Sequence, residues 1–280
     1  MTIKLNINIR SLPNNIEKFI IKKLNKNPPK SYGNISSTEL NQVKSMSKNR
    51  FPEESKMISD ELIRSIRSIY MKNHMINSHI KLKKNSDNLK KDYENGIDIL
   101  KLTGKYDISP LNILREIFAV KYKMKLSKLI LNPDIINLHD YSELKVAIKN
   151  DAYALIDNKN VLTDSINFEK KIENFLKSNS IEYKTQEELT KEQIKKYGKP
   201  INTPDFLIKS NLIINDQKIN WIDAKNFYGS KIPFVKDKIK KQTLKYLDEW
   251  GSGCIVFNLG FNEKLKFTNI LFIDYPSLIE

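Results

Sequence analysis

TPDFLIKSNLIINDQKINWIDAK, residues 203–225, is the stretch on which the reading of this chain turns. Phe206 to Ile208 and Ile219 to Ala224 cluster or alternate apolar residues as strands do, and Asn215-Asp216 supplies a turn between them. The pattern predicts a hairpin. Antiparallel pairing brings the head of the first strand, Asp205, beside the tail of the second, where Asp223 and Lys225 lie two apart and share a face. Two carboxylates and an ammonium then converge. Hard oxygen ligands of this kind suit Mg²⁺ or Mn²⁺, and an ion held by one or two carboxylates keeps positions open for water and a phosphate oxygen. Its water becomes a nucleophile, and the cation steadies charge developing on phosphorus oxygens. Lys225 would orient that water or stabilise that charge, and the backbone carbonyl of Ala224 could join the ligands. The plain alternative is a surface hairpin with a Pro-Asp turn and a solvated Asp/Lys pair. Against it, Asp223 closes a run, Ile219, Trp221 and Ile222, that belongs in a core, where unpaired charge is costly.

Helical patterns flank the hairpin. Phe168, Ile172, Phe175 and Leu176 mark one amphipathic helix before it, with Glu169 and Glu173 one turn apart beside the apolar stripe. Phe234 to Trp250 reads as a basic amphipathic helix after it, with Val235, Ile239, Gln242, Tyr246 and Trp250 roughly aligned. The order acid on a helix, P-D, D-x-K, Gln on a helix resembles the PD-(D/E)XK nuclease superfamily. TPDFLI, WIDAK and YLDEWGSGCIVFNLGF (246–261), with a helical amino-terminal half, resemble more narrowly the codanin-interacting nuclease family, or TPD-motif proteins, from about Arg50 onward.

That resemblance implies an α+β fold: a helical amino-terminal region and a restriction-endonuclease-like core with a mixed sheet flanked by helices. It implies a Mg²⁺-dependent nuclease, with DNA as the expected substrate. Glu169 matches the helical acid, with Glu173 as the alternative, and Gln242 matches the helical glutamine, although a helix Gln alone reads as a surface residue. The metal ligands are then Asp205, Asp223, Glu169 and the Ala224 carbonyl, and the catalytic set is Asp205, Asp223, Lys225, Glu169 and Gln242. It further implies a nuclear location and a codanin-like protein partner. A second reading keeps the fold but assigns it to a weakly active or inactive DNA-binding scaffold; a third is a sequence-specific regulator.

Charge supports a polyanionic partner. Lys and Arg number 48 against 33 Asp and Glu in 280 residues, a net +15, of which +11 falls through Asp164 and +4 after it. Nucleic acid fits a basic helical half feeding an acidic site. A general richness in Lys, Asn and Ile can raise the charge without any binding role. No apolar run approaches the ~20 residues of a membrane span and no signal-peptide core opens the chain, so a soluble, intracellular protein with no membrane partner is expected. The single cysteine, Cys254, excludes an internal disulfide and sits in GCIVFNL as a small core residue rather than a nucleophile.

Three regions are expected. Residues 1–37 read as irregular, with an extended piece over Ile3 to Ile9, a short helix around Ile16 to Leu24 and a linker at 27–33. Residues 38–158 read as helical and helix-turn-helix-like: a helix from Ser37, a break at Phe51-Pro52-Glu53, a helix over Lys56 to His79, then Asp92 to Thr103, a turn at Gly104 to Asp107, and a helix capped by Ser109-Pro110. Another helix is expected over Ser142 to Asn158. His74 and His79, five apart, do not share a helix face as paired ligands should. Arg115, Lys121, Lys123, Lys125 and Lys128 are the phosphate-contact candidates there, the alternative being a solvated helical face. Residues 159–280 form the nuclease-like region, after a linker at 157–160. In it Ile181 to Lys184 makes a brief strand, Thr185 to Tyr197 a polar connection, and Cys254 to Leu259 and Ile270 to Ile273 two more strands. Tyr228, Phe227 and Lys231 follow the hairpin, placed either to stack on bases and touch phosphate or to lid the sheet.

Overall fold

The computed structural model describes residues 2–24, 32–154 and 158–280, with backbone only for 158–161. These divide into two compact units: Met1–Ile20, Lys44–Ile66 and Asn158–Glu280 in one, Ile21–Val43 and Arg67–Asp157 in the other. The division does not follow the expected thirds. The amino terminus forms β1 (Thr2–Leu5) and α1 (Asn14–Leu24), and its first twenty residues belong with the sheet rather than forming an irregular segment. Of the two expected linkers, residues 27–31 of one and 157 of the other lie outside the described residues; Asn158 to Asn160 open a helix.

In the first unit six strands make one mixed sheet: β1, β2 (Tyr183–Thr185), β3 (Phe206–Ile214), β4 (Gln217–Lys225), β5 (Gly253–Phe257) and β6 (Ile270–Asp274). Their order is β1-β3-β4-β5-β6, with β2 also on β3. The hairpin β3/β4 is antiparallel, and Asn215 and Asp216 both take positive φ, 47° and 62°, the backbone that a two-residue hairpin turn requires. Asn215 also joins the amino terminus to this turn, its side chain accepting from Ile7 N and donating to Ile7 O, both at 2.8 Å. β1/β3, β4/β5 and β5/β6 are parallel, so β4 is a central strand and its tail is enclosed.

One face of the sheet is covered by α9 (Asn158–Ser178), whose Phe168, Ile172 and Leu176 pack with Phe206, Ile222, Cys254, Val256 and Ile273. Cys254 is a buried core thiol, its pKa raised by burial and then by the charge of Asp223, and so is inert. Trp221, on β4, stacks edge-on against Tyr246 of α11 (Pro233–Trp250) at 5.1 Å, and its Nε1–H donates to Gly251 O at 2.7 Å. Gly253 exists for this ring: a Cβ there would sit 2.3 Å from Trp221. Between β2 and β3, the expected polar connection is the helix α10 (Gln186–Tyr197), with a capping box from Thr185 and Glu188 and Gly198 at its end with φ 74°.

α2 (Ser37–Arg50) starts as expected, and α3 covers Asp60–Lys84 rather than Lys56 to His79. The second unit contains α4 (Ser86–Glu94), α5 (Ile99–Tyr106), α6 (Pro110–Lys121), α7 (Leu126–Leu131) and α8 (Leu138–Asn150). The single helix expected over Asp92 to Thr103 is two, because Gly96 takes φ 83° and Asp98 then caps α5 through Lys101 N. Gly104 to Tyr106 remain helical; the turn is made by Asp107, with φ 54°. Ser109 caps α6 as expected, accepting from Asn112 N at 3.3 Å, so α5 and α6 form a helix-turn-helix around Leu102, Leu111, Leu114 and Phe118. α8 begins at Leu138, four residues ahead of Ser142, and stops at Asn150. His74 bonds Asp107 at 3.2 Å while His79 is exposed, so the two histidines share no site.

Candidate functional site

The loop Thr203-Pro204-Asp205 is clamped from two sides. Gln193 of α10 is buried and holds the loop approach with three bonds: its Oε1 accepts from Ile201 N at 2.7 Å and Asn202 N at 3.0 Å, and its Nε2 donates to Asn202 O at 2.8 Å. Gln186 N donates to Asp205 O at 2.9 Å and its Nε2 to Thr203 O at 3.2 Å. From α11, Lys245 O accepts from Asn202 Nδ2 at 2.6 Å and Tyr246 Oη donates to Thr203 O at 3.3 Å. Neither Gln193 nor Tyr246 was marked by the sequence as part of the site. For Tyr246 the signal was its place one turn after Gln242; for Gln193 nothing local distinguishes it.

That clamp sets Asp205 on the backbone of β4, where Asp205 Oδ2 accepts from Ala224 N at 2.7 Å. It is thus the Ala224 N–H that meets an acid. Phe206 pairs with Ile222, so the next step of the register sets Asp205 opposite Asp223. Asp223 is fully buried, and Lys225 forms an ion pair with its Oδ2. That oxygen has no hydrogen bond of ordinary geometry, whereas Oδ1 accepts from Gln242 Nε2 at 3.3 Å. Gln242 Nε2 also lies 2.9 Å from Tyr246 Oη, so glutamine and tyrosine together orient the acid.

The electrostatics combine burial with crowded like charge. Burial first, then the charge of Asp223, pushes Asp205 up to about 8, against the pull of Lys225 and of the Ala224 N–H. Burial and Asp223 likewise raise Glu169 above the ordinary carboxylate range, with Lys225 opposing. For Lys225 burial favours the neutral amine, but Asp223 and Asp205 outweigh it and its pKa is raised. Glu173 belongs elsewhere: it pairs with Lys177 at 2.8 Å and accepts from Tyr183 Oη at 2.8 Å. Glu169, which feels both Asp223 and Lys225, is therefore the helical acid near the site.

This donor set suits a divalent cation bound through two carboxylates. Asp223 Oδ2, met by the Lys225 ammonium but by no ordinary hydrogen bond, faces an Asp205 that burial first, and then the charge of Asp223, keeps protonated, and a cation would relieve this crowding. No group of three or more His, Cys, Asp or Glu among the described residues is arranged to hold a metal. Asp205 and Asp223 are the two carboxylates here that could hold a Mg²⁺-like ion, which does not require a full protein cage.

The basic residues separate. In the helical unit Arg115, Lys123 and Lys125 line a groove of about 770 Å³ together with Ala119, Met124 and Ile130. Lys121 does not join them: its ammonium is 2.6 Å from the buried Asp140, which Tyr93 and Tyr122 also bond, and together these hold Asp140 below its usual pKa despite burial. Lys128 is exposed on α7. Tyr228 corrects an expectation. It is fully buried, its Oη 3.2 Å from the buried Glu17 Oε2 and its N–H on Ser65 Oγ at 3.0 Å, so no base can stack on it. Phe227 packs near Phe257 at 6.2 Å, making this segment the lid of the sheet, and Lys231 is partly exposed just before α11.

A mixed-sheet α+β unit with a buried Asp/Lys pair facing a loop-borne Asp is the class that fold and site define. Residues 137–275, which carry Thr203-Pro204-Asp205, match the family described as a protein of unknown function with a TPD sequence motif. The TPD-motif resemblance thus holds over a stretch that begins at Asn137, well after Arg50. An uncharacterized protein of Acanthamoeba polyphaga mimivirus is 34% identical over 152 residues, covering 52% of this chain and 53% of its own length. The chain thus spans about half the length of that curated relative. No solved structure matches. No helix among the described residues is long and apolar enough to cross a membrane.

Proposed function

We propose that the chain is a metal-dependent nuclease of the PD-(D/E)XK kind, hydrolysing phosphodiester bonds of nucleic acid, with DNA the expected substrate. The observation that carries this is the buried Asp223, ion-paired to Lys225 and set opposite Asp205 at the end of a central strand. A bound divalent cation would supply an activated water and offset charge on the phosphoryl oxygens. Asp205 and Asp223 hold that ion, with Glu169 completing the acidic set. Lys225 orients the attacking water or steadies the developing charge, and Gln242 fixes the Asp223 carboxylate. The backbone carbonyl of Ala224 joins the ligands in this reading.

The test is cleavage of a panel of structured DNAs and RNAs with Mg²⁺ or Mn²⁺ by the parent, Asp223→Asn and Lys225→Gln. Losing these groups should cost roughly a hundredfold or more in rate. If both variants cut as well as the parent while staying folded, the assignment is wrong. A second reading is a nuclease fold serving as a scaffold for a codanin-like partner in the nucleus. Calorimetric titration with Mn²⁺ separates the two, since a scaffold needs no ion.

A further inference from the structure

α11 carries two sets of lysines with different surroundings. Lys238, Lys241 and Lys245, at i, i+3 and i+7, lie on one face, with Lys236 and Lys240 on the opposite side. The first three border a cleft of about 370 Å³ between α11 and the clamped loop, whose walls include Gln186, Asn202 and Gln242. Gln242 also bonds the buried Asp223, so one side chain links this cleft to the acids. The ammonium groups of Lys238, Lys241 and Lys245 have no ion pair among the described residues, unlike those of Lys177, Lys184, Lys191 and Lys225 in the same unit.

We propose that this cleft is the seat of a single nucleic-acid strand, the lysine row following its phosphates and the open cleft receiving one unpaired nucleotide beside Gln242. Size and arrangement carry the choice of strand. The volume lies at the small end of the roughly 300–1,000 Å³ range of ligand clefts, room enough for one nucleotide. The lysines form one row, not two, and seven residues of helix extend it over about 10 Å. A stacked strand, at ~3.4 Å per nucleotide, lays about three phosphates along that length, and an extended one fewer. Gln186 and Asn202 spend their amide N–H groups on Thr203 O and Lys245 O, so the cleft wall is fixed before any ligand enters.

The proposal rests on the nuclease reading for the role of the acids, but its test does not require cleavage. Fluorescence anisotropy in EDTA measures binding of a short oligothymidylate and of a duplex of equal length, between about 50 and 200 mM salt. Lys241→Gln/Lys245→Gln should reduce the steepness of log affinity against log salt by about 1.4 for the single strand. The charge-matched Lys236→Gln/Lys240→Gln should leave that steepness unchanged. All four side chains are exposed, and circular dichroism verifies that both variants fold. An equal effect of the two pairs, no effect of the cleft pair, or a loss confined to the duplex overturns the proposal. A cleft-pair effect with a parent that never cuts would sink the nuclease reading and leave the strand site standing.

Discussion

Asp205 tests the electrostatics of the site in isolation from any chemistry. Its carboxyl has an ordinary value of 3.8 and is pushed up to about 8 in the fold, chiefly by burial and then by Asp223. Below pH 4 the folded and unfolded chains both hold the proton, and the group contributes no pH dependence. Between about 4 and 8 only the folded chain holds it, so each rising pH unit costs the fold up to about 1.36 kcal/mol. Above 8 both states are ionised and the penalty stays constant. Asp205→Asn removes the titration while its Oδ1 can still accept from Ala224 N, the bond now made at 2.7 Å. Metal-free urea denaturation of parent and variant should therefore converge towards pH 4 and diverge towards pH 8. The variant gains up to about 4 kcal/mol over the three units from pH 5 to pH 8. Adding Mg²⁺ should stabilise the parent at pH 8 and narrow the gap. A difference that is flat from pH 5 to pH 8, or that grows in the opposite direction, refutes the buried like-charge picture.

Three further expectations follow from packing and hydrogen bonding. Gly253→Ala would drive a methyl to 2.3 Å from the buried Trp221 ring, and urea titration should show a loss of about 1–3 kcal/mol. Glu17→Ala deprives the buried Tyr228 Oη, Ser230 Oγ and Asn262 Nδ2 of their shared acceptor; thermal unfolding should register a loss of about 3 kcal/mol or more. Thr185→Ala removes one half of the capping box of α10 and should cost about 1 kcal/mol in the same assay.

The hairpin, its turn and the two helices beside it were legible because each rests on local pattern: alternation of apolar residues, Asn-Asp at the turn, a helical stripe at Phe168, Ile172 and Leu176. α10 was hidden because its outer face is almost wholly polar, only Leu189 and Gln193 being buried. Its capping box, Thr185-x-x-Glu188 followed ten residues later by Gly198, was nonetheless present in the sequence and names both ends of the helix. Tyr228 shows the converse error. An aromatic in a loop reads as available, and only the distant Glu17, more than two hundred residues earlier, accounts for its burial. The sheet's claim on the amino terminus is of the same kind, since Asn215 bonds Ile7 across 208 residues of chain.

The meeting of Asp205 and Asp223 depends on a feature that no spacing announces. Near the turn Ile214 pairs with Gln217 and Leu212 with Ile219, a register that, run straight down the hairpin, would set Asp205 opposite Asn226. The strands do not run straight. Between Leu207 and Leu212 the register shifts by three, because β3 spends several residues against Asn220 alone; there Lys209 and Ser210 turn their N–H groups to Glu182 O, and Asn220 gives its own to Ser252 O. Beyond that bulge Leu207 faces Trp221 and Phe206 faces Ile222, which carries Asp205 to Asp223. Bulges often sit next to functional residues because they re-aim a side chain without changing the sheet. Here the shift decides whether the loop acid bonds the backbone at Ala224 or falls past the end of the strand. The convergence read from the hairpin is thus upheld for a reason the hairpin alone does not contain.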